Sequence, residues 1–564
     1  MNPRLLLIAV LSLPVAAMAA DVDLYVTDYN ENPSPEQKAL VEQAVTIPNA
    51  EEVSVKVGGK ALTYKEPKSV AIRRGGKGEE RQARLSAAPG EYEPFSFLLR
   101  PKENLEQVFI SASDLKGPAG AIPAATVKVT SVEGFLGAGR DVLTPVGNPW
   151  NMAANAAEYF WVTVHVPADA KAGAYAGEVA VTAGGKAVGQ IAVSLDVLPI
   201  QLEDPPFALG YNYSSPKNDK ALAAHLADMR AHGMTTVASL YNFSLPVQDA
   251  DTSELSNFIE AYKKAGFPGI FYFATPMDLE LRDLAGYGNP WSKRWQQKYV
   301  KVMRQIHEEV MKHNVPTVMS IGDEMTNRGI EGVKIAEQMA RLTAEELPEI
   351  AVTSDMNGYM EVMAMAPYLN IATFNNGWDG ADHHNKGRHL LNRKFLEELQ
   401  QKTPAIPWFV NAGSGRFPYG LFFWKMTKYG VRGKVEWYYN LGNNERGSLV
   451  RLDKENIYPT LDYERSREGI DDLKYLCKLE KLVAQAQQAK IGSEEVAKAQ
   501  AVLKGIADSI QDDWTIYDTG TRFSIDGFGV VDPEKAASLG QFNSVRAVVV
   551  ERILALQAVA GMGK

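Results

Sequence analysis

Cysteine is almost missing: Cys477 is the one thiol among 564 residues. Disulfides need pairs and a thiolate-rich zinc site needs several ligands, so both are excluded. Positive charge never gathers. Lys+Arg number 59 against 68 Asp+Glu, for a formal net charge of −9, and no basic block occurs. A nucleic-acid partner needs a cationic stripe to meet its phosphates, so that class is excluded too. No run of about 20 consecutive apolar residues occurs, so nothing reads as a membrane-spanning helix. No Gly-x-Ser-x-Gly elbow marks an esterase nucleophile.

What is present reads as an ordinary globular chain, with 45% hydrophobic and 23% charged residues. That balance excludes a disordered protein. A mild acidic surplus suits a neutral substrate better than a polyanion. The first twenty residues have the form of an export signal: Arg4, an apolar stretch from Leu5 to Leu13, and Ala17-Met18-Ala19 as a cleavage motif. Cleavage is expected after Ala19 or Ala20, with no lipid-anchoring cysteine following. The expected location is the periplasm or the exterior.

The remainder predicts a multi-domain protein. Residues 21–203 carry short period-2 runs, among them Glu93–Leu99, Gln107–Ser111, Val127–Val132, Phe160–Val166 and Gln190–Val197. Such runs between Gly- and Pro-containing turns predict a β-sandwich. Gly75-Gly76-Lys77-Gly78 lacks the strand and the Lys-Ser/Thr of a phosphate loop and reads as a turn. Leu202-Glu-Asp-Pro-Pro206 marks a boundary. Over residues 204–461, strand-like segments alternate with amphipathic stretches eight times. The strand candidates are Ala208–Asn212, Met234–Leu240, Gly269–Ala274, Pro316–Ile321, Ile350–Ser354, Asn370–Phe374, Ile406–Asn411 and Lys434–Tyr439. Eight β/α units predict a (β/α)8 TIM barrel. Residues 462–564 form a C-terminal α-helical region in three stretches, Tyr463–Ala489, Ser493–Ile510 and Asp532–Gly561, each opened by Ser or Asp.

In a barrel of this kind chemistry occurs at the C-terminal strand ends. Those ends hold Asn212, Tyr241, Asp323-Glu324, Asp355, Asn357, Asn375, Trp378, Asn411, Trp437 and Asn440. Aromatic rings beside amides and carboxylates suit a sugar: rings stack on its apolar face, and polar groups bond its hydroxyls. Asp323 and Glu324 follow Val-Met-Ser-Ile-Gly, an apolar run closed by glycine, which sets two adjacent acids beside the pocket. Spacing alone leaves two readings of the pair, a catalytic one and an acidic turn at a helix N-terminus. Asp379, Asp382, His383, His384 and His389 share a polar loop, but adjacent histidines seldom converge on one ion, and no metal or other cofactor is expected. Arg467 with Asp471 has the spacing of a helical ion pair. Cys477 lies among Tyr475, Leu476 and Leu479 and reads as core.

Over residues 21 to about 480 the chain resembles glycoside hydrolase family 123, the β-N-acetylgalactosaminidases. The likeness rests on Pro89-Gly-Glu-Tyr-Glu-Pro94, Phe160–Pro167 with Lys171-Ala-Gly-Ala-Tyr175, Asp323-Glu324, Gly430–Trp437, and Arg467-Glu-Gly-Ile-Asp-Asp472-Leu-Lys-Tyr475. The resemblance implies an exo-acting, retaining enzyme on a glycan. The 2-acetamido oxygen of the sugar would attack its own anomeric carbon to form an oxazolinium ion. By analogy Glu324 is the general acid/base, its pKa raised by the neighbouring Asp323 charge, and Asp323 orients the acetamido N–H. Trp437 would be the floor under the ring, with Asn440, Trp378 and Asn375 along the rim and Asn212 and Asp355 also lining the site. Tyr241, Tyr359 and Asn375 compete to hold the acetamido carbonyl. Two alternatives stay open: a glycosidase on another hexose or a bacterial exopolysaccharide, with Asp355 or Glu436 as nucleophile, and a carbohydrate-binding surface protein without catalysis. Neither a nucleic-acid nor a membrane partner is expected, and the residues set no oligomeric state.

Overall fold

The computed structural model describes residues 22–27, 51–57, 60–66, 81–118, 120–135, 140–239, 252–274, 291–377, 389–440, 448–454, 456–517 and 542–561. For 27, 51–57, 60–66, 134–135 and 140–141 it describes the backbone only. The chain groups into two compact units, one closing at Leu198 and the other opening at Pro199, with segment 133–143 grouped with the second.

The first unit is built on two sheets. One orders Val22–Thr27, Tyr92–Pro101, Glu158–His165, Val127–Phe135 and Arg140–Pro145. The other orders Trp150–Met152, Leu105–Ala112, Gly173–Ala183, Lys186–Val197 and Gln82–Ala87. Alternate residues of both sheets enter a single core, with Phe97, Leu99, Phe160 and Val162 meeting Ile110, Val179, Val181 and Val193. Face-to-face burial of this kind is the predicted sandwich.

The second unit holds a closed barrel of eight parallel strands. They are β1 (Ala208–Tyr213), β2 (Ala238–Ser239), β3 (Phe271–Ala274), β4 (Thr317–Asp323), β5 (Val352–Met356), β6 (Ile371–Phe374), β7 (Ile406–Val410) and β8 (Gly433–Glu436). β8 pairs with β1 and closes the ring. Its interior is a packed core of Ala208, Ala238, Tyr272, Val318, Ile371, Trp408, Val410 and Val435. β2 is much shorter than the expected Met234–Leu240. The amides of Thr235 and Thr236 both turn to Leu209 O, and Thr235 Oγ1 accepts from Leu209 N at 2.8 Å, so a threonine stands in for the ladder there.

Among the described residues, the helices between the strands include α1 (Asp219–Ala231), α2 (Ser253–Lys264), α3 (Lys293–Met311), α4 (Gly329–Glu346), α5 (Tyr359–Met365), α6 (Arg393–Lys402) and α7 (Leu421–Thr427), with a single turn at Arg416–Tyr419 before α7. A helical layer follows: α8 (Leu461–Ala489), α9 (Ser493–Ser509) and α10 (Phe542–Ala560). The expected caps differ in detail. Thr460 caps α8 through its side chain, and Gly492 precedes α9 with no side-chain cap. Asp532 lies outside the described residues, as does Gly75–Gly78.

Buried charge fastens this layer. Arg416 grips Asp472 bidentately at 2.7 and 3.0 Å, and Arg546 reaches both Asp472 and Glu468 at 2.6 and 3.1 Å. The Arg467–Asp471 pair expected from spacing is replaced: Arg467 bonds Glu464, and Asp471 takes Lys474 at 2.7 Å. Cys477 is half-buried, and burial pushes its thiol up to about 12, so it is no nucleophile. Among the described residues no helix is long and apolar enough to cross a membrane.

Candidate active site

Strand alternation decides which side chains reach the barrel mouth. Val318 on β4 faces the core, so strict alternation would aim Asp323 at the surrounding helices. A register shift between Ser320 and Asp323 breaks the pattern. A Cβ at Gly322 would lie 2.5 Å from Ser354 Oγ, so glycine admits the close approach of β4 and β5. Asp323 is consequently solvent-accessible rather than packed. Bulges next to active sites commonly re-aim one side chain in this way.

Glu324 begins the turn in the left-handed region, with φ 45° and ψ 50°. Its amide donates to Asp355 O at 2.7 Å and its carbonyl accepts from Asn327 N at 2.9 Å. Its carboxylate receives Asn327 Nδ2 at 2.9 Å and Asn375 Nδ2 at 3.5 Å. The next amide, Met325 N, donates to Glu361 Oε1 at 2.8 Å.

Four carboxyl groups thus share one strand-end region, and all are shifted in one direction. Burial raises Glu324 above the ordinary glutamate value. The expected contribution of the Asp323 charge is not its cause. The effect runs the other way: burial and the Glu324 charge push Asp323 up to about 7. Asp323 is accessible at its surface, yet protein on most sides thins the water around it. Asp355 is raised well above the usual range by burial and by the Asp323 charge. Burial likewise brings Glu361 to about 7, against the opposing pull of three hydrogen bonds. Adjacent carboxyls that cannot all ionise share protons, which is how one becomes an acid while its neighbour stays a base.

The remaining candidates separate. Trp437 sits half-buried against the barrel core, its amide donating to Asn411 Oδ1 at 3.1 Å. Asn212 is 2% exposed at the end of β1, with Oδ1 lacking a hydrogen-bond partner. Asp355 is buried and accepts from Tyr272 Oη at 2.8 Å. Asn375 is not on the rim: it is 1% exposed, and its amide is committed to Glu324, to Asn357 Oδ1 at 3.1 Å and to Gly377 N at 2.9 Å. Asn440 is not on the rim either, being buried and donating to Val450 O at 2.9 Å. Tyr359 leaves the contest for the acetamido carbonyl, since its hydroxyl donates to Glu398 on α6 at 2.6 Å. Glu436 is buried, pairs with Lys434 at 2.8 Å and approaches Tyr419. Tyr241, Trp378, Asp379, Asp382, His383 and His384 lie outside the described residues. His389 meets Asn376 Nδ2 at 3.4 Å. Among the described residues no three His, Cys, Asp or Glu side chains gather to hold a metal.

Sequence reasoning missed Tyr272 and Glu361. Tyr272 had a visible signal, a hydroxyl inside the apolar run Phe271–Ala274 that must find a partner once buried. Glu361 offered only the local signal of an acid in a helix's first turn, because its partners Met325 and Thr326 lie 36 and 35 residues away in sequence.

A sandwich followed by an eight-stranded barrel with paired acids closing β4 is the fold of the multi-domain TIM-barrel glycosidases. More particularly, it matches the structure of a family 123 glycoside hydrolase from Clostridium perfringens, studied for glycolipid glycan hydrolysis. The TM-score is 0.64 at 13% identity, over 96% of this chain and 100% of that one. A family 39 glycoside hydrolase from Bacteroides cellulosilyticus WH2 aligns less well, with a TM-score of 0.35 at 12% identity over 64% of this chain and 80% of that one. At such identities the likeness is one of fold. By sequence, no family profile and no curated protein matches the chain.

Proposed function

We propose that the chain is an exported, exo-acting retaining glycosidase that releases a terminal β-linked 2-acetamido sugar, N-acetylgalactosamine first, by substrate-assisted catalysis. The observation that carries this reading is the state of the carboxyls. Asp323 and Glu324 lie together at the end of β4, while the two candidates for a protein nucleophile are engaged with other groups. Asp355 is buried and bonded to Tyr272, and burial disfavours the charged form that a nucleophile needs. Glu436 is locked to Lys434.

The steps follow from this arrangement. The acetamido N–H donates to Asp323, favouring its charged form and leaving the shared proton on Glu324. The acetamido oxygen attacks the anomeric carbon as the glycosidic C–O bond breaks, and Glu324 protonates the departing oxygen. The nucleophile is already tethered to the reacting carbon, so its translational entropy is spent before the step begins. Water then opens the oxazolinium ring while Glu324 takes back a proton, and two inversions give retention. Trp437 supplies the stacking floor and Asn212 an unspent acceptor for a sugar hydroxyl.

The test pairs turnover with inhibition. Nitrophenyl β-N-acetylgalactosaminide is expected to be hydrolysed in preference to the glucosaminide, galactoside and glucoside. The thiazoline analogue of the cyclised intermediate is expected to compete with it. Hydrolysis without thiazoline inhibition would overturn substrate assistance, and hydrolysis of the plain galactoside at equal rate would overturn the acetamido requirement.

A further inference from the structure

We propose that Glu361 is a positioning residue for Glu324, clamping the turn that carries the acid to the neighbouring strand end. The inference rests on the reading of Glu324 as the general acid. Its starting point is backbone strain. A non-glycine residue in the left-handed region costs roughly 1–2 kcal/mol and persists only where its surroundings over-determine it. Glu324 has that conformation at φ 45°. Its own amide is tied to Asp355 and its carbonyl to Asn327, which holds the following peptide at its oxygen and leaves its other end, Met325 N, to be set.

Glu361 sets it. The carboxylate is 0% exposed. One oxygen accepts from Met325 N at 2.8 Å; the other accepts from Asn357 N at 3.0 Å and Thr326 Oγ1 at 3.4 Å. A single buried group therefore joins the turn after β4 to the turn after β5. Asn357 continues the connection, its Oδ1 accepting from Asn375 Nδ2, which also reaches the Glu324 carboxylate. The acid is held by its backbone on one side, directly through Glu361, and by its carboxylate on the other, through Asn375 and Asn357, and the Glu361–Asn357 bond ties the two routes together.

A plain helix cap does not account for this. Glu361 is the third residue of α5, where a carboxylate often reaches back to the amides at its own N-terminus, and the Asn357 contact fits that role. Met325 and Thr326 belong to another turn, and capping α5 needs neither. All three partners are donors, so the site requires an acceptor on both oxygens. A carboxamide would turn its NH2 group against at least one of them.

The test compares Glu361→Gln with Glu324→Gln on two β-N-acetylgalactosaminides, one with an acidic nitrophenol leaving group and one with an alkyl alcohol. Misplacing an acid by a fraction of an ångström should cost roughly 10- to 100-fold in kcat on the alkyl glycoside and several-fold less on the nitrophenyl one. KM should stay within about threefold. Equal losses on both substrates, or unchanged kcat per folded molecule with a lowered Tm, would reduce Glu361 to a structural cap and overturn the proposal. If Glu361→Gln does not fold, Glu361→Asp keeps the charge with a shorter reach and is expected to show the same leaving-group bias in milder form. Should the wild-type protein turn over neither substrate, the N-acetylgalactosaminidase reading fails by itself. The crystal structure of the variant then decides the clamp: Glu324 leaving the left-handed region supports it, and Glu324 unmoved overturns it.

Discussion

Tyr272 donates its hydroxyl hydrogen to Asp355 at 2.8 Å from inside the barrel core. The bond joins the last apolar layer of the barrel to the acids at its mouth, and it ties Asp355 on β5 to β3, across the intervening β4. Removing the donor leaves a buried acceptor unsatisfied, which costs about 1–3 kcal/mol. Tyr272→Phe is expected to lose stability on that scale in urea or thermal unfolding. Asp355→Asn, which still accepts from Tyr272, is expected to lose less. Equal losses in the two variants would mean that the hydroxyl contributes only its packing.

Glu324→Gln keeps the shape of the acid and removes its proton. Roughly 10²–10⁴-fold of the rate is expected to vanish on poor leaving groups, and much less on nitrophenyl glycosides. The same loss on both would assign Glu324 another role.

Asp323→Asn removes the charge that grips the acetamido N–H as the oxazolinium ring forms. A hydrogen bond to a charged group is worth about 1.5–3 kcal/mol, so kcat should fall about 10- to 150-fold, with a smaller rise in KM. Azide should not rescue the variant, because the nucleophile belongs to the substrate. An inverted glycosyl azide among the products would make Asp323 itself the nucleophile.

Trp437→Ala removes a half-buried ring packed against the barrel core, on a residue whose backbone amide is held by Asn411. KM is expected to rise and kcat to fall with the fold retained, as read by activity per folded molecule. Unfolding with unchanged specific activity would place the ring in the core and the sugar platform elsewhere.

Stability should depend on pH through the acids below the mouth. Glu361 moves from 4.5 to about 7 on folding because burial disfavours its charged form. A raised carboxyl contributes stability that is complete below pH 4.5 and lost as pH rises through 7, on the order of 3 kcal/mol for this shift. Glu324 and Asp355, which face it, shift in the same direction. Tm is therefore expected to decline from pH 5 to 8, and Glu361→Gln should flatten the decline. A parallel slope in the variant would assign the dependence to other groups.

Period and punctuation carried the architecture into the sequence. Strands such as Tyr92–Pro101 and Lys186–Val197 announce themselves because alternation is local, and the eight β/α units because each needs its own apolar stretch. The Asp323-Glu324 pair was legible for the same reason: residues adjacent in sequence stay adjacent in any fold. What tertiary structure alone decided concerns partners distant along the chain. Alternation from Val318 points Asp323 at the helices, and only the register shift against β5 turns it to the mouth. Asn375 and Asn440 have the composition of sugar ligands, but their amides are taken up by groups within the fold. Glu361 is an unremarked acid on a short helix until the closing barrel sets it against Met325. Composition and spacing report what a residue can bond; the closed ring determines which of its possible partners arrives.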